Sequence, residues 1–237
     1  MRKLGLIGGM SWVSTALYYD QINKGVSRRL GGLASAPLLL ESHDFAAIAA
    51  LQREGAWDRL AQILGDSARR LVGAGAEGLV LCTNTMHKLY DEIAEAARVP
   101  VIHIGDVTAA KLNRDGVRRA GLIGTRFTMN EDFYRERIES HGISLTLPDD
   151  ATRTEIDRII FEELARGEVL RSSERKLRTC LTGLAQAKNQ AVILGCTELV
   201  MLVDPGANIL PVYDTTAIHA SAAVDWIFGE EPGAAAS

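Results

Sequence analysis

Gly5-Leu6-Ile7-Gly8 returns as Gly121-Leu122-Ile123-Gly124, and the reading of that pair decides the fold. Each is an apolar run too short for a helix and closed by glycine, the pattern of a buried strand running into a turn. Two more segments repeat in the same order. Val80-Leu81-Cys82-Thr83 returns as Ile193-Leu194-Gly195-Cys196-Thr197, and Pro100-Val101 returns as Pro211-Val212. The copies are offset by about 111 to 116 residues, a near-constant spacing that marks an internal duplication. The 237 residues are then two units of about 115 each.

Amphipathic stretches separate the apolar runs. After the strand Leu4 to Ile7, a helical pattern runs from about Ser14 to Leu30. Leu38-Leu39-Leu40 reads as a second buried strand. Residues 55–74 form a helical pattern, with apolar Leu60, Ile63, Leu64, Ala68, Leu71 and Val72 spaced by one, three and four. Leu79-Val80-Leu81 is a strand with a helix after Thr85, and Val101-Ile102 is the next strand. In the second half, Ala120 to Ile123, Val192-Ile193-Leu194 and Pro211-Val212 are strands. Helices are expected over 129–141, 153–166, 173–188 and about Thr216 to Phe228, with an unstructured tail from Glu230 to Ser237. Strands alternating with helices imply a parallel sheet covered on both faces. The expected fold is therefore α/β, with two pseudo-symmetric, doubly wound parallel-sheet domains and the active site in the cleft between them. The final helix repeats the one after Asp106, which predicts one domain from 1–103 plus 214–237 and another from 104–213.

Composition narrows the function classes. The chain is 47% hydrophobic and 24% charged, with 26 basic and 30 acidic residues and a net charge of −4. The sequence pI is about 5.8. No basic footprint for nucleic acid is present, and no apolar run approaches the length of a membrane span. The first residues read as a strand rather than a secretory signal, so a cytoplasmic location is expected. The cysteines, Cys82, Cys180 and Cys196, are odd in number and match no zinc spacing, which argues for free thiols and no metal. Gly8-Gly9 invites a dinucleotide reading, but Met10, Ser11 and Val13 break the required glycine pattern.

Two of the cysteines carry the chemistry. In open α/β sheets ligands bind beyond the carboxyl ends of the strands. Cys82 and Cys196 both sit there, each followed by helix-capping residue types: Thr83-Asn84-Thr85 after the first, Thr197-Glu198 after the second. A helix start offers backbone N–H groups to a carboxylate and lowers the pKa of a nearby thiol. Two thiols at equivalent positions suit inversion of a stereocentre, where one removes a proton and the other delivers one to the opposite face. Cys180 lies within a helical pattern and reads as a core residue. Asp106 and Asp214 read as N-caps, Trp12 and Trp57 as packing residues, and Arg28-Arg29 as cations suited to a helix end. His87 reads equally as a partner of the thiol and as a packing residue.

At these residues the chain resembles the aspartate/glutamate racemase superfamily, and within it the broad-specificity amino-acid racemases. The segments that carry the resemblance are Gly5-Leu6-Ile7-Gly8-Gly9-Met10-Ser11-Trp12, Leu81-Cys82-Thr83-Asn84-Thr85-Met86-His87, Leu122-Ile123-Gly124-Thr125-Arg126 and Gly195-Cys196-Thr197-Glu198-Leu199. It spans about residues 1–228. The resemblance implies racemisation of a free amino acid by two cysteines, without cofactor or metal, in a homodimer. By position, Cys82 and Cys196 are the acid/base pair. Thr83, Asn84, Thr85 and Thr197 hold the substrate's carboxylate and amino group, Met10 and Gln52 line the pocket, and Thr125 is the second half's counterpart of the first glycine turn. Glu198 is a candidate for orienting the ammonium group. Strict aspartate racemases carry basic residues that grip the side-chain carboxylate. The corresponding positions, around Ala47-Ile48 and Leu164-Ala165, are apolar here, with Arg166 nearby, which points to a broader substrate range. A hydantoin racemase or maleate isomerase shares the two cysteines and differs in substrate. Outside enzymes, the alternative is a carboxylate-binding protein, which has no need of a thiol at each strand end.

Overall fold

The structure, a computed structural model, describes residues 1–204, 206 and 208–232. The chain divides into two compact units, one of Met1–Val107 with the chain from His219 onward, and a second of Thr108–Ile218. These boundaries fall a few residues beyond the expected 103/104 and 213/214. Most of the expected unstructured tail, from residue 233 on, lies outside the described residues.

The first unit is built on a parallel four-stranded sheet of order β2-β1-β3-β4: β1 Leu4–Gly8, β2 Leu38–Ser42, β3 Gly78–Leu81 and β4 Val101–Ile102. Register pairs Leu4 with Leu38 and with Gly78, so β1 and β3 are central. The strands form because their side chains are apolar on both faces, as a covered parallel sheet requires. Ile7, Leu79 and Leu81 face a core shared with α2 (Phe45–Glu54), α3 (Trp57–Gly73) and α4 (Tyr90–Ala97). Leu4, Leu6 and Val80 alternate to the opposite face and are fully buried. On that face α1 (Trp12–Leu30) contributes buried Tyr18, Ile22 and Val26. The C-terminal part of α10 (Thr215–Ile227) also packs there, with Trp226 over Gly78 and Val224 against Gly25. Leu38–Leu40 is not a buried strand: β2 is at the sheet edge, half-buried, with Leu40 turned outward.

The second unit repeats the topology. Its sheet runs β6-β5-β7-β8: β5 Arg119–Gly124, β6 Ser144–Thr146, β7 Ala191–Gly195 and β8 Val212–Asp214. Ile123, Val192 and Leu194 face a core built with α8 (Asp150–Arg158) and α9 (Arg171–Gln186). Between these helices the chain passes through a π turn, Ile159–Glu163, and a 3-10 turn, Leu164–Arg166, in place of the single helix expected over 153–166. The expected helix over 129–141 is likewise two, α6 (Arg126–Asn130) and α7 (Asp132–Glu139), because Glu131 takes an extended backbone.

Further elements differ from the sequence reading. Helix α2 is not among the expected helices, although Asp44 caps Ala46 N–H and Gly55 closes it in the left-handed conformation. Helix α5 (Ile104–Arg114) begins before Asp106, so Asp106 sits in its first turn and is not its N-cap. Asp214 does cap α10, accepting from the N–H groups of Thr216 and Ala217. Trp12 is 71% exposed and packs little, whereas Trp57 lies against the core with Lys88 over its ring.

Candidate active site

In the first unit Met10, Cys82, Thr83, Asn84 and Thr85 follow the carboxyl ends of β1 and β3. Cys82 follows β3 directly, and its N–H donates to Ile7 O at 2.9 Å, which aligns it with the turn after β1. That turn is held by Gly9 N–H donating to Thr15 Oγ1 at 2.8 Å. Gly9 has φ +81° and a Cβ there would stand 2.2 Å from the backbone of His43, so no other residue fits. Met10 is buried in the same core cluster as Leu81 and Met86. Gln52 is buried near the end of α2. Asn84 and Thr85 are buried and Thr83 is half-buried.

The segment after Cys82 is a five-residue 3-10 helix, Thr85–Leu89, that leads into α4. Asn84 precedes it without a side-chain capping bond, contrary to the capping role expected from its type. His87 anchors it instead. Nδ1–H donates to Thr83 O at 2.9 Å and Nε2 accepts from Ile104 N–H at 3.2 Å, which fixes the neutral tautomer. Its ring lies 4.7 Å from that of His103 and 5.7 Å from that of His219. His87 is therefore a buried, bonded residue with its pKa pushed down to about 4 by burial.

In the second unit the equivalent strand ends are β5 and β7. Gly124 pairs with Gly195. A Cβ on Gly124 would stand 2.9 Å from Gly195 O, so both glycines allow the close approach. Thr125 follows Gly124, and its side chain accepts from Thr128 N–H to cap α6. Cys196 follows Gly195 and leads into a 3-10 helix, Thr197–Met201, which it caps only in the backbone sense. Its Sγ–H donates to Glu198 Oε2 at 3.0 Å, and Thr197 Oγ1 donates to the same oxygen at 2.6 Å. Asp157, near the end of α8, also faces this thiol electrostatically, its own Oδ1 accepting from Arg126 N–H at 2.7 Å. Sequence reasoning misses Asp157, since an aspartate in an amphipathic helix carries no local signal.

Electrostatics reverse one expectation. A helix start is expected to lower the cysteine pKa values, but both thiols are pushed up. Cys82 is 0% exposed, and burial alone raises it. Cys196 is 8% exposed; burial raises it most, and the Glu198 carboxylate adds to that. A short 3-10 turn offers only a small dipole, about 0.3–1 kcal/mol at best, against a larger desolvation of the thiolate. Both cysteines therefore rest as thiols.

The positions expected to grip a side-chain carboxylate are apolar, with Arg166 beside them. Ile48 and Leu164 are buried, Ala47 and Ala165 are exposed, and Arg166 is exposed. Cys180 lies half-buried on α9, with its thiol pushed up to about 11 by burial and by Asp149. Among the described residues no group of three or more His, Cys, Asp or Glu is placed to hold a metal ion, and no helix is long and apolar enough to cross a membrane.

Comparison with known proteins agrees with this geometry. The model of the Asp/Glu/hydantoin racemase family matches residues 7–223. A Yersinia pestis protein, described as a candidate Asp/Glu racemase, is 48% identical, with a TM-score of 0.91 over 96% of this chain and 100% of its own. An aspartate racemase homologue from Pyrococcus horikoshii is 33% identical, with a TM-score of 0.84 over 96% of this chain and 100% of its own. The broad-specificity amino-acid racemase RacX of Bacillus subtilis is 23% identical over 167 residues, 70% of this chain and 72% of that protein.

Proposed function

The chain belongs to the Asp/Glu/hydantoin racemase family, and on that premise we propose that it is a cofactor-independent amino-acid racemase in which Cys82 and Cys196 are the two acid/base groups. One observation carries the reading. In each of two units with the same strand order, a buried thiol directly follows the central strand that pairs with the glycine-closed one.

The chemistry asked of such a pair is removal of an α-proton from one face of the substrate and return of a proton to the other. The α-proton is weakly acidic, so the carbanion-like state needs donors aimed at the carboxylate. Thr83, Asn84 and Thr85 in the first unit and Thr197 in the second are assigned to hold the carboxylate and ammonium groups, with Glu198 beside the ammonium, Thr125 at the second unit's counterpart of the first glycine turn, and Met10 and Gln52 lining the substrate. Burial of the thiols makes each a strong base once deprotonated, because an unsolvated thiolate gains more from taking a proton. The apolar Ile48 and Leu164 support a substrate range wider than the acidic amino acids. The reading carries with it a homodimer, which the resemblance implies, and a reducing cytoplasm, which three free cysteines suit.

The test is α-proton exchange in deuterated water across the proteinogenic amino acids, followed by chiral chromatography. Deuterium should enter the α-position as the enantiomers equilibrate. Single Cys82→Ser and Cys196→Ser variants should each lose about a hundredfold or more in racemisation. Either variant keeping the wild-type rate removes the two-base assignment. A 5-substituted hydantoin in the same panel separates an amino-acid racemase from a hydantoin racemase.

A further inference from the structure

We infer that Glu198 holds the single negative charge the two-cysteine reaction needs, so that both cysteines rest as thiols and Cys196 becomes a base by passing its proton to Glu198. The inference rests on the racemase reading and adds to it the residue that makes a base available.

The geometry is local to the second unit. Cys196 Sγ stands 3.0 Å from Glu198 Oε2, within donating distance of the carboxylate. Thr197 Oγ1, 2.6 Å from the same oxygen, holds the carboxylate turned toward the thiol. Among the described residues, the ionisable groups that most affect Cys196 are Glu198 on its own segment and Asp157 on α8. Asp157 spends Oδ1 on the N–H of Arg126 and reaches the thiol only through space. Both raise the thiol pKa through their charge, so a thiolate beside an ionised Glu198 is opposed by charge as well as by burial. A thiolate beside a protonated Glu198 is not opposed by that charge. In the duplicated first unit, the residue two positions after Cys82 is Asn84, which cannot take a proton. The first unit therefore has no carboxylate at the position equivalent to Glu198.

The protons balance. At rest the three groups are Cys82–SH, Cys196–SH and Glu198–COO⁻. The Cys196 proton moves to Glu198 Oε2, leaving a thiolate. The thiolate takes the substrate's α-proton: the Cα–H bond breaks, its electron pair stays on carbon, and an S–H bond forms. Cys82–SH then delivers its proton to the other face of Cα and becomes Cys82–S⁻. The enzyme now carries Cys82–S⁻, Cys196–SH and Glu198–COOH. This form has the same number of protons as the starting one and is the form that accepts the opposite enantiomer. Before the same enantiomer is taken again, Cys82–S⁻ gains a proton from water and Glu198–COOH gives one up to water, so the full cycle makes no net change in protons.

Kinetics against pH test this directly. Because the two working forms share one protonation state, kcat/KM of the wild type should be flat between about pH 6 and 8. Glu198→Gln removes the acceptor, so Cys196 must release its proton to solvent. That variant should lose at least about tenfold near neutrality and then regain about tenfold per pH unit, a slope that a purely structural role does not create. Glu198→Asp, still ionisable, should restore a flat profile at reduced kcat. A wild-type profile already rising tenfold per unit, or a Glu198→Gln profile of the wild-type shape, overturns the inference. Thiolate absorption in the far ultraviolet gives a readout that needs no turnover and no variant. Resting wild-type protein near neutrality should show none, and a resting thiolate overturns the inference. Failure of every amino acid to exchange its α-proton would instead strike the racemase reading, with the thiolate measurement still deciding where the charge sits.

Discussion

His87 donates Nδ1–H to Thr83 O at 2.9 Å, and so ties the start of the 3-10 helix back to the residue beside Cys82. The other ring nitrogen accepts from Ile104 N–H at 3.2 Å. One side chain thus satisfies two backbone groups that have little access to water. His87→Ala leaves both to be satisfied otherwise, at about 1–3 kcal/mol each. A loss of about 2–4 kcal/mol in urea denaturation is expected. A midpoint equal to the wild type would show that the two bonds contribute nothing.

Acid should unfold the first unit through its buried histidines. Burial pushes His87 down to about 4 and His219 down to about 3. His219 is also held neutral by geometry, Nε2–H donating to Ile102 O at 2.9 Å and Nδ1 accepting from Tyr18 O–H at 2.8 Å. An unfolded histidine titrates near 6.5. Below that value the unfolded chain binds protons that the folded chain refuses. The stabilisation is complete above about pH 6.5 and is lost as pH falls toward 4 and 3. With two protons the slope near pH 5 is about 2.7 kcal/mol per pH unit. His43, half-buried and also shifted down by burial, adds in the same direction. His219→Gln should reduce the slope by about one proton, read from denaturation midpoints across pH; an unchanged slope would refute the assignment.

Gly78 has no room for a side chain. A Cβ there would stand 2.5 Å from Trp226 Cζ2 and 2.7 Å from Cη2. The indole is further constrained by Arg2, whose guanidinium lies over the ring at 5.2 Å. Gly78→Ala is expected to cost about 1–3 kcal/mol by overpacking. Adding Trp226→Leu should recover part of that loss relative to the Trp226→Leu single variant. A thermal melt of the four proteins measures the coupling.

The three cysteines should separate by function rather than by reactivity. All three thiols are raised by burial, so none should alkylate quickly near neutral pH. Cys180 lies within α9 and does not follow a strand. Cys180→Ser should racemise at the wild-type rate, in contrast to the substitutions at Cys82 and Cys196. Loss of activity in Cys180→Ser without loss of stability would contradict this division.

Much of the fold is legible in short apolar runs. Leu4–Ile7, Leu79–Leu81, Ala120–Ile123 and Val192–Leu194 are strands because no helix can bury so short an all-apolar run, and a covered parallel sheet can. The edge strands are less legible. Leu38–Leu40 has the same composition as a central strand, and only its neighbours make it an edge. Helix α2 is hidden because Phe45-Ala46-Ala47-Ile48-Ala49-Ala50 has no polar face to show a period, although Asp44 and Gly55 mark both its ends. The breaks at Glu131, where the backbone is extended, and at Ile159, where a π turn begins, leave no mark in periodicity.

The sequence by itself determined the duplication, the parallel α/β topology of each unit and the placing of Cys82 and Cys196 at equivalent strand ends. These follow from local pattern, since strand periodicity and glycine turns act over a few residues. Tertiary structure decided the ionisation of those thiols, the neutral tautomers of His87 and His219, and the pairing of Glu198 with Cys196. A pKa depends on how much water the surrounding elements exclude and on which charges they bring close. Residues such as Asp157 and Ile104 reach their partners only after the chain has folded.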